Sequence, residues 1–175
     1  CQRLRVSGQG YEPIGELTPT PAGTPFAADL RQLLTAALLC NNARLVPPAE
    51  GRGQWTCLGD QTEAALRALA LKGDIDEAQL TDGWPRIHEL PFDARRKRMV
   101  TIHRNGEHET AFVKGAPKEV LALCTHVLIL GHVQMLTPAL RAEIRATNDD
   151  YARGSLRVLA LARRDLPARA AGDER

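Results

Sequence analysis

The sequence is poor in aromatic residues: Phe, Trp and Tyr make up only 4% of its 175 residues. A core must therefore rest on Leu, Val, Ile and Ala, within an apolar share of 43%. The chain also lacks a charge of one sign, since 23 Lys and Arg stand against 21 Asp and Glu, for a net charge of +2. That balance argues against a nucleic-acid or anionic-membrane partner. No apolar run approaches the roughly 20 residues needed to cross a bilayer. The first residues, CQRLRVSGQG, hold no apolar segment of the signal-peptide kind. Membrane segments of a longer protein are thus expected outside this chain. Cysteine is sparse: Cys1, Cys40, Cys57 and Cys124 form no C-x-x-C pair and read as reduced thiols of a cytosolic compartment. His88, His103, His108, His126 and His132 form no ligand cluster, so no protein-bound metal is expected.

Familiar catalytic templates are missing too. There is no G-x-x-x-x-G-K-[ST] and no G-x-G-x-x-G, so any nucleotide is bound without a Gly-rich phosphate cradle. No nucleophile elbow is present.

What is there reads as one α+β domain, a mostly antiparallel sheet flanked by helices. Residues 3–6 suit a short strand and residues 7–25 a loop rich in Gly, Pro and Thr. Thr24-Pro25 starts a helix with Leu30, Leu33, Leu34, Ala37 and Leu38 on its inner face. Residues 46–54 read as loop and Trp55–Leu58 as a short strand. Asp60 opens a second helix that buries Leu66, Leu69 and Ala70 and ends near Gly73. A short helix over 76–82 follows. Arg86–Phe92, Arg98–Arg104 and Glu107–Lys114 read as strands. Pro117–Leu123 reads as a helix. Val127–Leu130 and His132–Leu136 form a second hairpin. Thr137-Pro138 starts a helix with Leu140, Ile144, Thr147 and Tyr151 as its inner stripe and Gly154 as its cap. Leu156–Arg164 is the final strand. The domain core spans about residues 3–166, and 167–175 is a frayed tail.

Asn105-Gly106 reads as a two-residue hairpin turn. That turn would place Met99 opposite Phe112 and Lys97 opposite Lys114, on one sheet face. Like charges facing each other disfavour the pairing. Two lysines there suit an anionic ligand, although side chains snorkelling into water are the commoner outcome. Arg157 begins an otherwise apolar strand face with Leu159 and Leu161. It needs an acceptor, either a carboxylate such as Asp149 or Asp150 or a phosphate.

Four segments then fall into a pattern. GDQTEAAL (59–66), ELPFDARRKRMV (89–100), FVKGAPKEVL (112–121) and SLRVLALARRD (155–165) resemble, in family order, the nucleotide-binding domain of P-type cation-transporting ATPases. VSGQGYEPIGE (6–16) resembles the stretch leading into that lobe. The wording is most similar to type II, calcium-pump-like members. The resemblance implies the fold of that domain and an ATP site. Phe92 matches the aromatic that stacks on adenine, and Lys97 a basic residue of the same pocket. Lys114 matches the lysine deep in the site. Gly115 and Ala116 match the small residues that let the base approach. Glu63 matches the carboxylate near the adenine amino group, and Arg157 the arginine reaching toward the phosphates. Other roles stand beside these. Phe92 suits a core, Glu63 a capping box with Asp60, and Gly115 an ordinary turn.

Two departures bear on the subfamily. Lys118 stands where the family has Glu after KGAP, and Gln61 where it has Pro. The phosphorylated Asp of a D-K-T-G-T segment is absent, so the chain itself holds no catalytic residue. The resemblance thus implies a domain of a larger membrane ATPase that binds ATP, as Mg-ATP in the full pump, without hydrolysing it alone. Its partners would be the phosphorylation and actuator domains of the same polypeptide. No nucleic acid, no direct membrane contact and a monomeric cytoplasmic domain are expected. The alternative is a non-catalytic α+β interaction module that has lost nucleotide binding. The run Arg95-Arg96-Lys97-Arg98 could mark a weak nucleic-acid surface, but no matching fold surrounds it.

Overall fold

A computed structural model describes residues 3–20, 27–49 and 53–167. Within them the order is β1 (Arg3–Val6), β2 (Leu17–Thr20), α1 (Ala27–Leu39), β3 (Arg44–Val46), β4 (Thr56–Leu58), α2 (Gln61–Lys72) and α3 (Glu77–Gly83). Then come β5 (Arg86–Asp93), β6 (Arg98–Asn105), β7 (His108–Gly115), α4 (Pro117–Leu123), β8 (His126–Ile129), β9 (His132–Met135), α5 (Pro138–Arg153) and β10 (Ala160–Leu166). The architecture is α+β, as expected. A four-stranded antiparallel sheet runs in the order β10-β7-β6-β5, and β1–β2, β3–β4 and β8–β9 are separate two-stranded ribbons. The Thr24-Pro25 helix start and the tail beyond Pro167 lie outside the described residues.

Local chemistry explains the helix ends. Asp60 Oδ1 accepts from the backbone N–H groups of Thr62 and Glu63, and Gly73 closes α2. Pro117 occupies the first turn of α4, where its missing N–H costs nothing. Thr137 caps α5 through the Leu140 N–H, and Gly154 ends it.

Helix α1 is covered from two sides. Ala36, Leu39 and Cys40 pack on Met99 and Phe112 of the sheet. Leu34 and Leu38 pack on Ala70 of α2 and on Ile75. The buried set is therefore wider than one stripe, and Leu33 is exposed. Phe112 is the pivot of the sheet core, with Trp84 and His103 both edge-on to its ring at 5.9 and 5.7 Å. On α2 the alanines Ala64, Ala68 and Ala70 are buried, while Leu66 and Leu69 are only half-buried. The expected stripe on α5 is shallower still, with Leu140, Ile144 and Thr147 half-buried and Tyr151 exposed.

Three expectations are corrected. Leu17–Thr20 is a strand rather than loop, pairing with β1 in spite of Pro19, and Val46, read as the first residue of a loop, instead ends β3, which pairs with β4. The last strand starts at Ala160 rather than Leu156. Its ladder partner β7 ends at Gly115 and turns into α4, so residues 156–159 have no strand to pair with among the described residues. Arg157 therefore lies in the approach to β10.

The hairpin register differs as well. Asn105 pairs with His108, so Gly106-Glu107 forms the turn centre. Gly106 has φ +57° and Glu107 has no positive φ, which is the pattern of a turn with Gly at its first central position. Lys114 consequently faces Met99, Phe112 faces Thr101 and Thr110 faces His103. The shift is by two residues, so the shared face survives. It is the buried face: all six of these residues are buried.

Candidate functional site

Strand β5 carries Phe92 into an irregularity. Pairing with β6 shifts between Leu90 and Asp93, leaving Pro91 and Phe92 outside the regular ladder. Phe92 is 61% exposed, so it is no core residue. The next turn is tightly built. Asp93 Oδ1 accepts from the backbone N–H groups of Arg95 and Arg96, and Lys97 N–H donates to the Asp93 carbonyl at 2.6 Å. The bond from the Arg96 backbone N–H, foremost, holds the Asp93 carboxyl below its usual range. Lys97 ends the turn with φ +49°, outside β6, which is why it does not face Lys114. Its ammonium sits 3.3 Å from Glu119 of α4.

The Lys97 carbonyl is the meeting point with the next residues. It accepts from Ala116 N–H at 2.9 Å, fixing the start of α4 beside the turn. A Cβ on Gly115 would fall on that same carbonyl and on Arg98. The strand crossing therefore accounts for a residue without a side chain here, apart from any ligand.

Lys114 lies inside. It is 6% exposed, and its Nζ donates to Glu63 Oε1 and to the Cys40 carbonyl, each at 2.7 Å. Glu63 Oε2 accepts from Asn42 N–H at 2.7 Å. The Glu63 carboxylate is thus no capping-box partner. It reaches away from its own helix end to the lysine and the end of α1. Burial pushes the neighbouring Cys40 thiol up, which keeps it neutral against the Lys114 charge. One residue before Glu63, Thr62 Oγ1 accepts from Arg157 Nη1 at 2.9 Å. Arg157 is exposed, and this hydroxyl takes the place of the expected Asp149 or Asp150, which face Lys118 and Arg153.

The expected residues therefore form a chain of neighbours. Arg157 bonds Thr62, adjacent to Glu63; Glu63 bonds Lys114; Lys114 leads through Gly115 to Ala116; and Ala116 bonds Lys97. Phe92 joins through the Asp93–Lys97 turn. None of them lines the hollow of about 160 Å³ bounded by Asn41, Arg67, Trp84, Arg86 and His103. Among the described residues, no group of His, Cys, Asp and Glu is placed to hold a metal ion.

Sequence reasoning missed the polar groups behind this chain. Asn41 Nδ2 donates to the Ala37 and Glu63 carbonyls, stapling α1 to α2. Arg86 binds the Leu39 and Asn41 carbonyls. An Asn pair directly after a helix and an Arg-x-x-Glu at a strand start were the available signals.

Residues 29–174 match the family described as P-type ATPase, cytoplasmic domain N. The chain is 39% identical over 154 residues to a calcium-transporting ATPase of Lactococcus lactis, covering 88% of this chain and 16% of that protein. It is 36% identical over 175 residues to a cation-transporting ATPase of Synechocystis, covering 94% and 18%. A calcium-transporting ATPase of Listeria monocytogenes is 34% identical over 138 residues, covering 79% and 15%. The chain thus spans less than a fifth of the length of these relatives.

Proposed function

The chain belongs to the P-type ATPase cytoplasmic N-domain family, and from that premise we propose that it binds ATP and delivers it for phosphorylation of an Asp in a separate domain. Phe92 stacks on adenine, a contact of about 1–3 kcal/mol. Glu63 accepts from the exocyclic amine, Lys97 and Lys114 are the basic residues of the site, and Arg157 attracts the phosphates. Gly115 and Ala116 keep the corner low. The observation that carries this reading is Phe92, a large aromatic left 61% exposed at the mouth of the turn that holds Lys97. In a chain with so few aromatics, an exposed one within a polar corner suits a stacking platform better than a fold element.

The whole protein is proposed to be a cation-transporting pump of the type II, calcium-pump-like kind, whose relatives are named calcium- and cation-transporting ATPases. The 175 residues act as one domain, a monomer on the cytoplasmic side. Its partners are the phosphorylation and actuator domains of the same polypeptide. No described helix is long and apolar enough to cross a membrane. Magnesium arrives with the nucleotide and offsets phosphate charge. Alone, the chain binds ATP without hydrolysing it.

An ATP titration followed by amide NMR tests this. Saturable shifts are expected around Glu63, Phe92, Lys97 and Lys114, with a dissociation constant on the order of 0.1–1 mM. A folded Phe92→Ala chain should lose them. No shifts at several millimolar ATP would leave an α+β interaction module instead.

A further inference from the structure

The end of α1 is gripped from two sides. On one side are Lys114, on the Cys40 carbonyl, and Glu63, on the Asn42 N–H. On the other is Arg86, at the start of β5. Its Nη2 donates to the Leu39 carbonyl at 2.9 Å and the Asn41 carbonyl at 2.7 Å. Its Nη1 donates to Asn42 Oδ1 and, at 2.8 Å, to Glu89 Oε2. Glu89 closes the ring by accepting from Asn42 Nδ2 through Oε1 at 2.7 Å. These carbonyls end a helix and have no partners within it. Arg86 and Lys114 supply them.

Asn42 is therefore held at both ends. Its side chain is fixed by Arg86 and Glu89, and its backbone N–H orients the Glu63 carboxylate. We infer that Arg86, together with Glu89, is the positioning residue that sets how Glu63 meets the base and so sets preference for an amine-bearing purine. This rests on the proposed ATP site. A guanidinium fork reaches two carbonyls and two side chains at once, which an ammonium cannot. With the fork lost, the Asn42 N–H is free to swing. Glu63 then keeps only Lys114 and rotates about it. A contact to an exocyclic amine depends on that angle, whereas stacking on Phe92 and attraction of phosphate do not.

The test compares ATP with ITP, whose base carries a 6-oxo group in place of the amine, on the 175-residue chain and its Arg86→Lys and Glu89→Gln variants. The parent should bind ATP more tightly than ITP. Each variant should lose roughly threefold to tenfold in ATP affinity while ITP stays within about twofold. Amide exchange at Asn42 should quicken in both variants without ligand. Glu89→Gln, isosteric and partly exposed, serves where Arg86→Lys disturbs folding. Unchanged ATP affinity in folded variants, or equal loss for ATP and ITP, would overturn the inference and leave the ATP site standing. A parent that binds neither nucleotide would remove the site itself.

Discussion

Glu63 and Lys114, 51 residues apart in the chain, meet at 2.7 Å with side chains only 13% and 7% exposed. Removing either partner leaves the other charged and nearly dry. Lys114→Met or Glu63→Leu alone should cost about 3 kcal/mol in urea unfolding, and the double replacement should cost clearly less than the sum. Additive losses would show that the pair is not coupled.

Phe92 should behave in the opposite way. It is exposed, and its strand is irregular there, so Phe92→Ala should change stability by no more than about 0.5 kcal/mol. Nucleotide shifts should vanish all the same. A large loss of stability in thermal unfolding would instead make Phe92 part of the packing.

Gly115 separates two explanations for a small residue. A Cβ there would strike the Lys97 carbonyl and Arg98 before any ligand arrives. Gly115→Ala should therefore destabilise the ligand-free chain by about 1–3 kcal/mol. An unchanged melting temperature would return the position to the ligand alone.

His103 makes stability depend on pH. Burial, foremost, pushes its imidazole below the ordinary value of 6.5. Nδ1 faces the Trp84 carbonyl at 2.8 Å, and among the described residues Nε2 is buried without a hydrogen-bond partner. The unfolded chain takes up a proton near 6.5 while the folded chain resists. Stability is therefore full above about 6.5 and falls as pH drops toward the lower folded value. Urea midpoints between about pH 7.5 and 5.5 should show this slope. His103→Gln should flatten it. An unchanged slope would place the titrating group elsewhere.

Much of the fold was legible because its punctuation is local. Asp60, Pro117 and Thr137-Pro138 mark helix starts through groups within one turn, and each starts a helix as read. The hairpin was legible in kind but not in register. Asn-Gly fits a turn with Gly either second or first, and the register found sets Phe112 opposite Thr101 with Trp84 and His103 edge-on to its ring. Pro19 hid β2, and the start of β10 depended on where β7 turned into α4. In the site, residue types were readable from motifs, yet their bonds were not. Lys114 facing Glu63 and Arg86 facing Asn42 join segments 51 and 44 residues apart. No periodicity carries such a pairing.

The edge position of β5 has a consequence for solubility. Among the described residues no strand pairs with its outer side, so its backbone groups offer a template for a second molecule. Pro91 has no backbone N–H to offer a partner strand, and the register shift beside it interrupts the regular ladder. Arg95, Arg96 and Lys97 follow at once with positive charge. An exposed phenyl ring can stand on an open strand because its neighbours make that strand a poor seed for β-aggregation. Replacing Pro91 with Val would restore a backbone donor to the edge and turn the same ring into a liability.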